Sequence, residues 1–278
     1  MKKKLTIFTA IVLASLGVYI VVYSPFSKPL QSTANSSSQP PNVIVKNISE
    51  DEAKAKAEEA LINVGLTPGN LTVNIRKDNR TNKDIYVLDS DGAEVYLEPT
   101  TGKVLLIQDR KSYSNIIINI TTQDQAKAQL EKLYAELQLS EGLTAGYKLA
   151  YVQNTGSKYW AATFQKEVIP GLLSPQEAIR ISIDASGKFN AFSEVDIPVA
   201  TTDVKITKER AIEIAKNNPD KDHRLDAPTY EQLTVVRPNH FTTTQDDKAV
   251  IAWAVRENGK YIWIDANTGE VVGGDQTL

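Results

Sequence analysis

The 278-residue sequence has no cysteine and only two histidines. Without cysteine there are no disulfides, no thiolate metal sites, no cysteine nucleophile and no lipid anchor on an N-terminal cysteine. A basic field is missing too: 31 Lys and Arg stand against 34 Asp and Glu, a net charge of −3. Nothing gathers a phosphate backbone, so nucleic-acid binding is not expected. His223 and His240 lie in polar, loop-like stretches. Neither has a second ligand at helical i, i+4 spacing, so they read as surface histidines and not as a zinc site. Asp89-Ser90-Asp91-Gly92 starts like a calcium loop but lacks the third ligand before glycine and the distal bidentate Glu, so it reads as a plain turn. No Gly-x-Ser-x-Gly elbow, Ser-x-x-Lys nucleophile or glycine-rich phosphate loop stands in a supporting context. No catalytic residue, cofactor or metal is therefore expected, and the chain is read as a non-enzyme.

Long hydrophobic runs are equally scarce, with one exception. Lys2, Lys3 and Lys4 precede Leu5 to Tyr23, nineteen residues without a charge. As a helix this run is about 28 Å long, close to the hydrocarbon thickness of a bilayer. The lysines favour a cytoplasmic N-terminus, which places everything after Tyr23 outside. The alternative is a cleaved signal peptide, but no Ala-x-Ala-like site follows. Residues 1–24 are thus expected to be a transmembrane anchor or signal. Residues 25–46, dense in Ser, Pro, Gln and Asn around Gln31 to Pro41, are expected to be a flexible linker.

From residue 47 onward one phrase occurs three times: alternating strand residues, an acidic residue, a short turn with glycine, then a second strand. The copies are Val95 to Leu106, Ile181 to Phe189 and Tyr261 to Val272. A short amphipathic helix containing alanine begins some way upstream of each. Ser49-Glu50-Asp51-Glu52 and Thr122-Gln123-Asp124-Gln125 are capping boxes, and Thr207 opens the third helix. Ala53, Ala57, Ala60, Leu61 and Val64 fall on one face of the first helix; Ala126, Leu130, Leu133 and Leu137 form the stripe of the second; Ala211, Ile214 and Ala215 face inward on the third. Strands are expected at 71–76, 84–88, 93–97 and 102–107. The middle unit should supply 147–153, 158–166, 178–184 and 188–195, and the last one 231–237, 248–257 and 260–265. Asn258-Gly259 is the clearest hairpin turn. The expected fold class is α+β: tandem small units at 47–110, 119–200 and 201–278, each one helix packed on an antiparallel sheet, behind a single transmembrane helix.

The helix, the antiparallel strands and the closing Asp-x-x-x-Gly-Lys/Glu-Val hairpin resemble the PepSY domain. The match is best at Tyr261–Val272 with the helix at Thr207, and close at Val95–Leu106 with the helix at Ser49. The middle unit, with Ile181 to Lys188, looks more like the related units of YcdB/YcdC-type envelope proteins. It lacks one turn residue, and the first copy has Glu98-Pro99 where the last has Asp265-Ala266. The resemblance implies an extracytoplasmic module of secreted-peptidase propeptides and membrane-anchored proteins, with no catalytic residues to carry over.

A surface is then the place to look for function. With Asn258-Gly259 as a two-residue turn, Trp253, Val255, Ile262 and Ile264 share one face of the hairpin, and Ala254, Tyr261 and Trp263 share the other. Tyr261 and Trp263 are the candidate partner-binding residues, unless neighbouring units bury them. The expected role is a single-pass membrane protein whose exported part binds or regulates a protein partner at the cell surface, a peptidase being the family's suggestion. The rival readings are a non-enzymatic structural or assembly factor of the envelope and an unrecognised hydrolase.

Overall fold

Among the described residues, three α-helices each lead into four strands. In chain order these are α1 (Glu50–Asn63) with β1 (Thr72–Lys77), β2 (Asp84–Asp89), β3 (Ala93–Leu97) and β4 (Val104–Asp109); α2 (Gln123–Glu141) with β5 (Tyr147–Asn154), β6 (Tyr159–Ile169), β7 (Leu172–Asp184) and β8 (Phe189–Asp196); and α3 (Lys208–Lys216) with β9 (Tyr230–Val236), β10 (Val250–Glu257), β11 (Lys260–Asp265) and β12 (Val271–Gln276). This computed structural model describes residues 46–78, 83–111, 116–141, 146–156, 158–242 and 244–276. The anchor expected at 5–23 and the linker up to residue 45 lie outside the described residues. Among those described, no helix is long and apolar enough to cross a membrane.

The helix starts follow the sequence chemistry closely. Ser49 caps α1 through a full capping box, its hydroxyl accepting from the Glu52 amide while the Glu52 carboxylate accepts from the Ser49 amide at 2.8 Å. Thr122 and Gln125 exchange the same pair of bonds at the head of α2. Thr207 accepts from the Arg210 amide at the head of α3. The first helix stops at Val64, and Gly65 then takes the left-handed conformation, φ 77°, that a side chain would resist.

The twelve strands among the described residues form two antiparallel sheets. The first has eight strands in the order β1-β2-β3-β4-β8-β7-β6-β5, and the second four in the order β12-β11-β10-β9. The eight-stranded sheet exists because β4 pairs with β8, Ile107 opposite Phe192, which fuses the strands that follow α1 with those that follow α2. Both helices contribute to one core. Leu61 and Leu130 from the helices are fully buried with Leu88, Leu97, Ile107, Ile181 and Phe192 from the sheet. Each such side chain contributes about 1.5–3 kcal/mol of burial free energy. Alanines at 53, 57, 60 and 126, all with no exposed surface, let the helix backbones come close to the sheet.

One strand pair departs from the sequence reading. A strand was expected from 178, with nothing assigned between 166 and 178; instead β6 runs on to Ile169 and β7 begins at Leu172, a hairpin turning at Gly171 with φ 83°. The extra length has a packing reason. Val168, Ile169 and Leu172 at its tip cover Val235 and Ile251 of the second sheet. The other part of that inner face is covered by α3, where Ala211 and Ala215 meet Val255, Ile262 and Ile264. Trp253 belongs to both clusters, and its Nε1 donates to the Ile206 carbonyl at 2.8 Å.

The thrice-repeated phrase builds one local device in all three places. Its glycine, Gly102, Gly187 or Gly269, has positive φ. Against it sits an isoleucine just before the following-face helix, Ile48, Ile120 or Ile206, within 3.1–3.4 Å of where a glycine Cβ would be. The backbone joins as well: Ile48, Ile120 and Ile206 each donate their amide to the carbonyl of Pro99, Ala185 or Ala266, the residue after the acidic one. The entry to each helix is thus pinned on the turn between the last two of the four strands that follow it.

Candidate functional site

The register of the last hairpin is the expected one, with Trp253 opposite Ile264, Val255 opposite Ile262 and Ala254 opposite Trp263. Trp253, Val255, Ile262 and Ile264 do face α3. Tyr261 and Trp263 lie on the opposite face, and both are half-buried. Trp263 packs beside Val236, Ala252 and Val272, and its cross-strand neighbours Ala254 and Gly273 are small enough to leave the indole room. Tyr261 stands opposite Arg256, whose guanidinium lies 5.4 Å from the ring centroid, a cation–π geometry. Together the two rings form an aromatic strip along β11, a side chain with an apolar body and a polar tip at each position.

The edge beside this strip is closed. Asn239 and His240 both donate their amides to the Val272 carbonyl, and the Asn239 side chain bonds the amide and the carbonyl of Gly274. A Cβ at Gly274 would lie 2.2 Å from the Tyr261 carbonyl oxygen, so glycine is what lets β12 lie this close. Strand addition at β12 is therefore blocked by the chain's own loop. Below the strip a recess of about 230 Å³ is lined by Asp222, His223, Phe241, Lys260 and Asp275 among others. His223 stacks on Phe241 at 3.6 Å between centroids, and its Nδ1 is 2.6 Å from Asp220. The bond from His223 holds the Asp220 carboxyl below its ordinary range. His240 pairs with Asp246 at 3.2 Å. Neither histidine meets the other, and among the described residues no three His, Cys, Asp or Glu side chains are grouped to hold a metal. The turn at Asp89 is likewise an ion-pair site: Arg110 is 2.9 Å from its Oδ1.

A second concavity, of about 310 Å³, opens where β4 meets β8, and sequence reading gave no sign of it. Lys103 lines it, with its ammonium 2.9 Å from Glu194 and 2.8 Å from Asp196. The Glu194 side chain is 1% exposed. Burial pushes its carboxyl above the ordinary value, opposed by the bond from Lys103. Burial works against the charge of Lys103 too, but its bonds to Asp196 and Glu194 outweigh it and raise that pKa. These two directions agree physically: the ammonium has two carboxylate partners, and Glu194 is the buried one. Burial, then the charges of Glu194 and Asp196, holds the Tyr147 phenol above its usual range. Lys166 and Glu177 form a neighbouring ion pair on the same face. The group reads as a charged clamp between the two halves of the large sheet. No sequence signal could have found it, because Lys103 and Glu194 are 91 residues apart and meet only through the β4–β8 pairing.

Comparison with known proteins places part of this chain. Residues 47–108 match the family described as "Peptidase propeptide and YPEB domain", and they form a PepSY domain. Among solved structures, the C-terminal domain of YpeB from Bacillus megaterium is similar over 84% of this chain and 99% of its own, at 16% identity and a TM-score of 0.44. No curated protein matches the chain.

Proposed function

We propose that this protein is a membrane-anchored extracytoplasmic PepSY protein that binds or regulates a protein partner at the cell surface, with a peptidase as the first candidate. The single observation that carries the reading is the match of residues 47–108 to a family described by peptidase propeptides. Binding a protein needs a preformed surface, and this chain offers sheet surfaces for that task. The three pinned helix entries support a tandem of related units at 47–110, 119–200 and 201–278, the first two sharing a sheet. The uncharged run at 5–23 supports the anchor and the outside location of the rest. Tyr261 and Trp263 are the residues proposed to meet the partner, on the face of the second sheet turned away from α3.

The test uses the full-length tagged chain expressed in its native membrane. Surface proteins are cross-linked, recovered and identified, and any recovered peptidase is assayed for maturation in cells with and without the chain. Altered maturation supports the proposal. Recovery of envelope components alone, with peptidase maturation unchanged, overturns it in favour of an assembly factor.

A further inference from the structure

The face of the eight-stranded sheet opposite its helices carries a second surface. Strand pairing aligns one residue per strand in a single row: Tyr151, Thr163, Arg180, Ser193, Leu106 and Tyr96 follow one another from β5 across to β3. Alternation puts this row opposite Ile181, Phe164 and Phe192, which face the core. Arg180 stands at the centre of the row, half-buried, and makes no hydrogen bond or ion pair among the described residues. None of the eight positions around it on this face carries a carboxylate. The row neighbours are Thr163 and Ser193, and the corners and ends include Ala161, Ala178, Ser182 and Ala191. Gln165 and Val195 hold the other two corners, so six of the eight neighbours are small and none offers the guanidinium an acid. Thr163 adds an independent sign: it is 3% exposed, and its hydroxyl has no hydrogen-bond partner among the described residues. A buried hydroxyl without a partner is rare in a settled structure.

We propose that this face is a binding site for a carboxylate on an extended segment of a protein partner, with Arg180 as the anchor and Thr163 and Ser193 as flanking donors. The proposal rests on the reading that the chain binds a protein, and it names the chemistry of that partner. A guanidinium fork matches a carboxylate in two parallel bonds. One cation and two hydroxyls balance one negative charge, whereas a phosphate dianion would call for a second cation and the grid holds none. The row suits an extended peptide, whose alternate side chains meet the sheet at strand spacing.

The full-length chain in detergent micelles is titrated by calorimetry with a capped eight-residue alternating Val/Glu peptide and its Val/Gln counterpart. The expected result is at least tenfold tighter binding of the Val/Glu peptide. Arg180→Gln should erase that difference while leaving the unfolding midpoint unchanged, since no internal bond is lost. Arg180→Glu should turn the preference toward a Val/Lys peptide. Equal binding of the two peptides, or a preference that survives Arg180→Gln, overturns the site. Arg180-dependent binding of inorganic phosphate or of phosphatidylglycerol vesicles, without the peptide preference, overturns it as well. A peptide preference with no peptidase affected would sink the peptidase reading alone, and a regulated peptidase indifferent to Arg180→Gln would sink this site alone.

Discussion

Lys103 and Glu194 meet at 2.9 Å across the junction of β4 and β8, so the two halves of the large sheet are joined by a charge as well as by backbone bonds. The carboxylate is buried and the ammonium only partly so, which makes the pair asymmetric. Removing the lysine strands a buried charge; removing the acid leaves a cation that still has Asp196.

Lys103→Met is therefore expected to destabilise the fold by about 3 kcal/mol at pH 7, the low end for breaking a buried pair. The loss should shrink near pH 4, where Glu194 can take up a proton and needs no partner. Urea unfolding at the two pH values measures it.

Glu194→Gln should behave differently. A carboxyl whose pKa is raised in the folded state binds more protons folded than unfolded, so its contribution is most favourable below the unfolded value and declines as pH rises through the folded one. Wild-type stability should fall relative to Glu194→Gln as pH rises above the ordinary Glu range, and the two curves should converge in acid. Thermal unfolding from pH 3.5 to 7 checks the sign.

Gly269→Ala tests the pinned helix entry. The residue sits at φ 82°, and a Cβ would come within 3.3 Å of Ile206 and 3.4 Å of Ile214. A cost of about 1–3 kcal/mol is expected from the strained backbone. Loss of amide protection should concentrate in α3 rather than in the eight-stranded sheet, because the device is local.

Much of this fold was legible because its signals are local. The capping boxes at Ser49 and Thr122, the stripe from Ala53 to Val64 and the Asn258-Gly259 turn each depend on residues within one helical turn or one hairpin. Asn258 indeed adopts φ 48° and Gly259 φ 82°. What escaped was non-local. The pairing of β4 with β8 joins residues 87 apart at Leu106 and Ser193 and leaves no periodic mark on either strand. The β6–β7 hairpin escapes the alternation signal because its tip, Val168-Ile169 and Leu172-Leu173 around Pro170-Gly171, is continuously apolar for contact with the second sheet. Tyr261 and Trp263 were placed on the correct face by alternation alone. Arg180 was passed over, since a single arginine in an alternating strand looks like any solvent-facing position.

The aromatic strip separates a structural from a binding role. Trp263→Ala removes an indole that packs on Val236, Ala252 and Val272 and should cost about 1–3 kcal/mol of stability. Tyr261→Ala removes the ring under the Arg256 guanidinium and should cost less, about 0.5–1 kcal/mol of stability. If the strip binds the partner, both variants lose capture while folded; if it serves packing alone, both lose stability, Trp263→Ala more than Tyr261→Ala, and neither loses capture while folded.

The most direct measurement is the rate of the recovered peptidase as the purified full-length chain is titrated into its assay. A saturable, dose-dependent change in rate, weakened in Tyr261→Ala, is the predicted result. A rate that stays flat at every concentration, for a chain shown to be folded, would contradict the regulatory account.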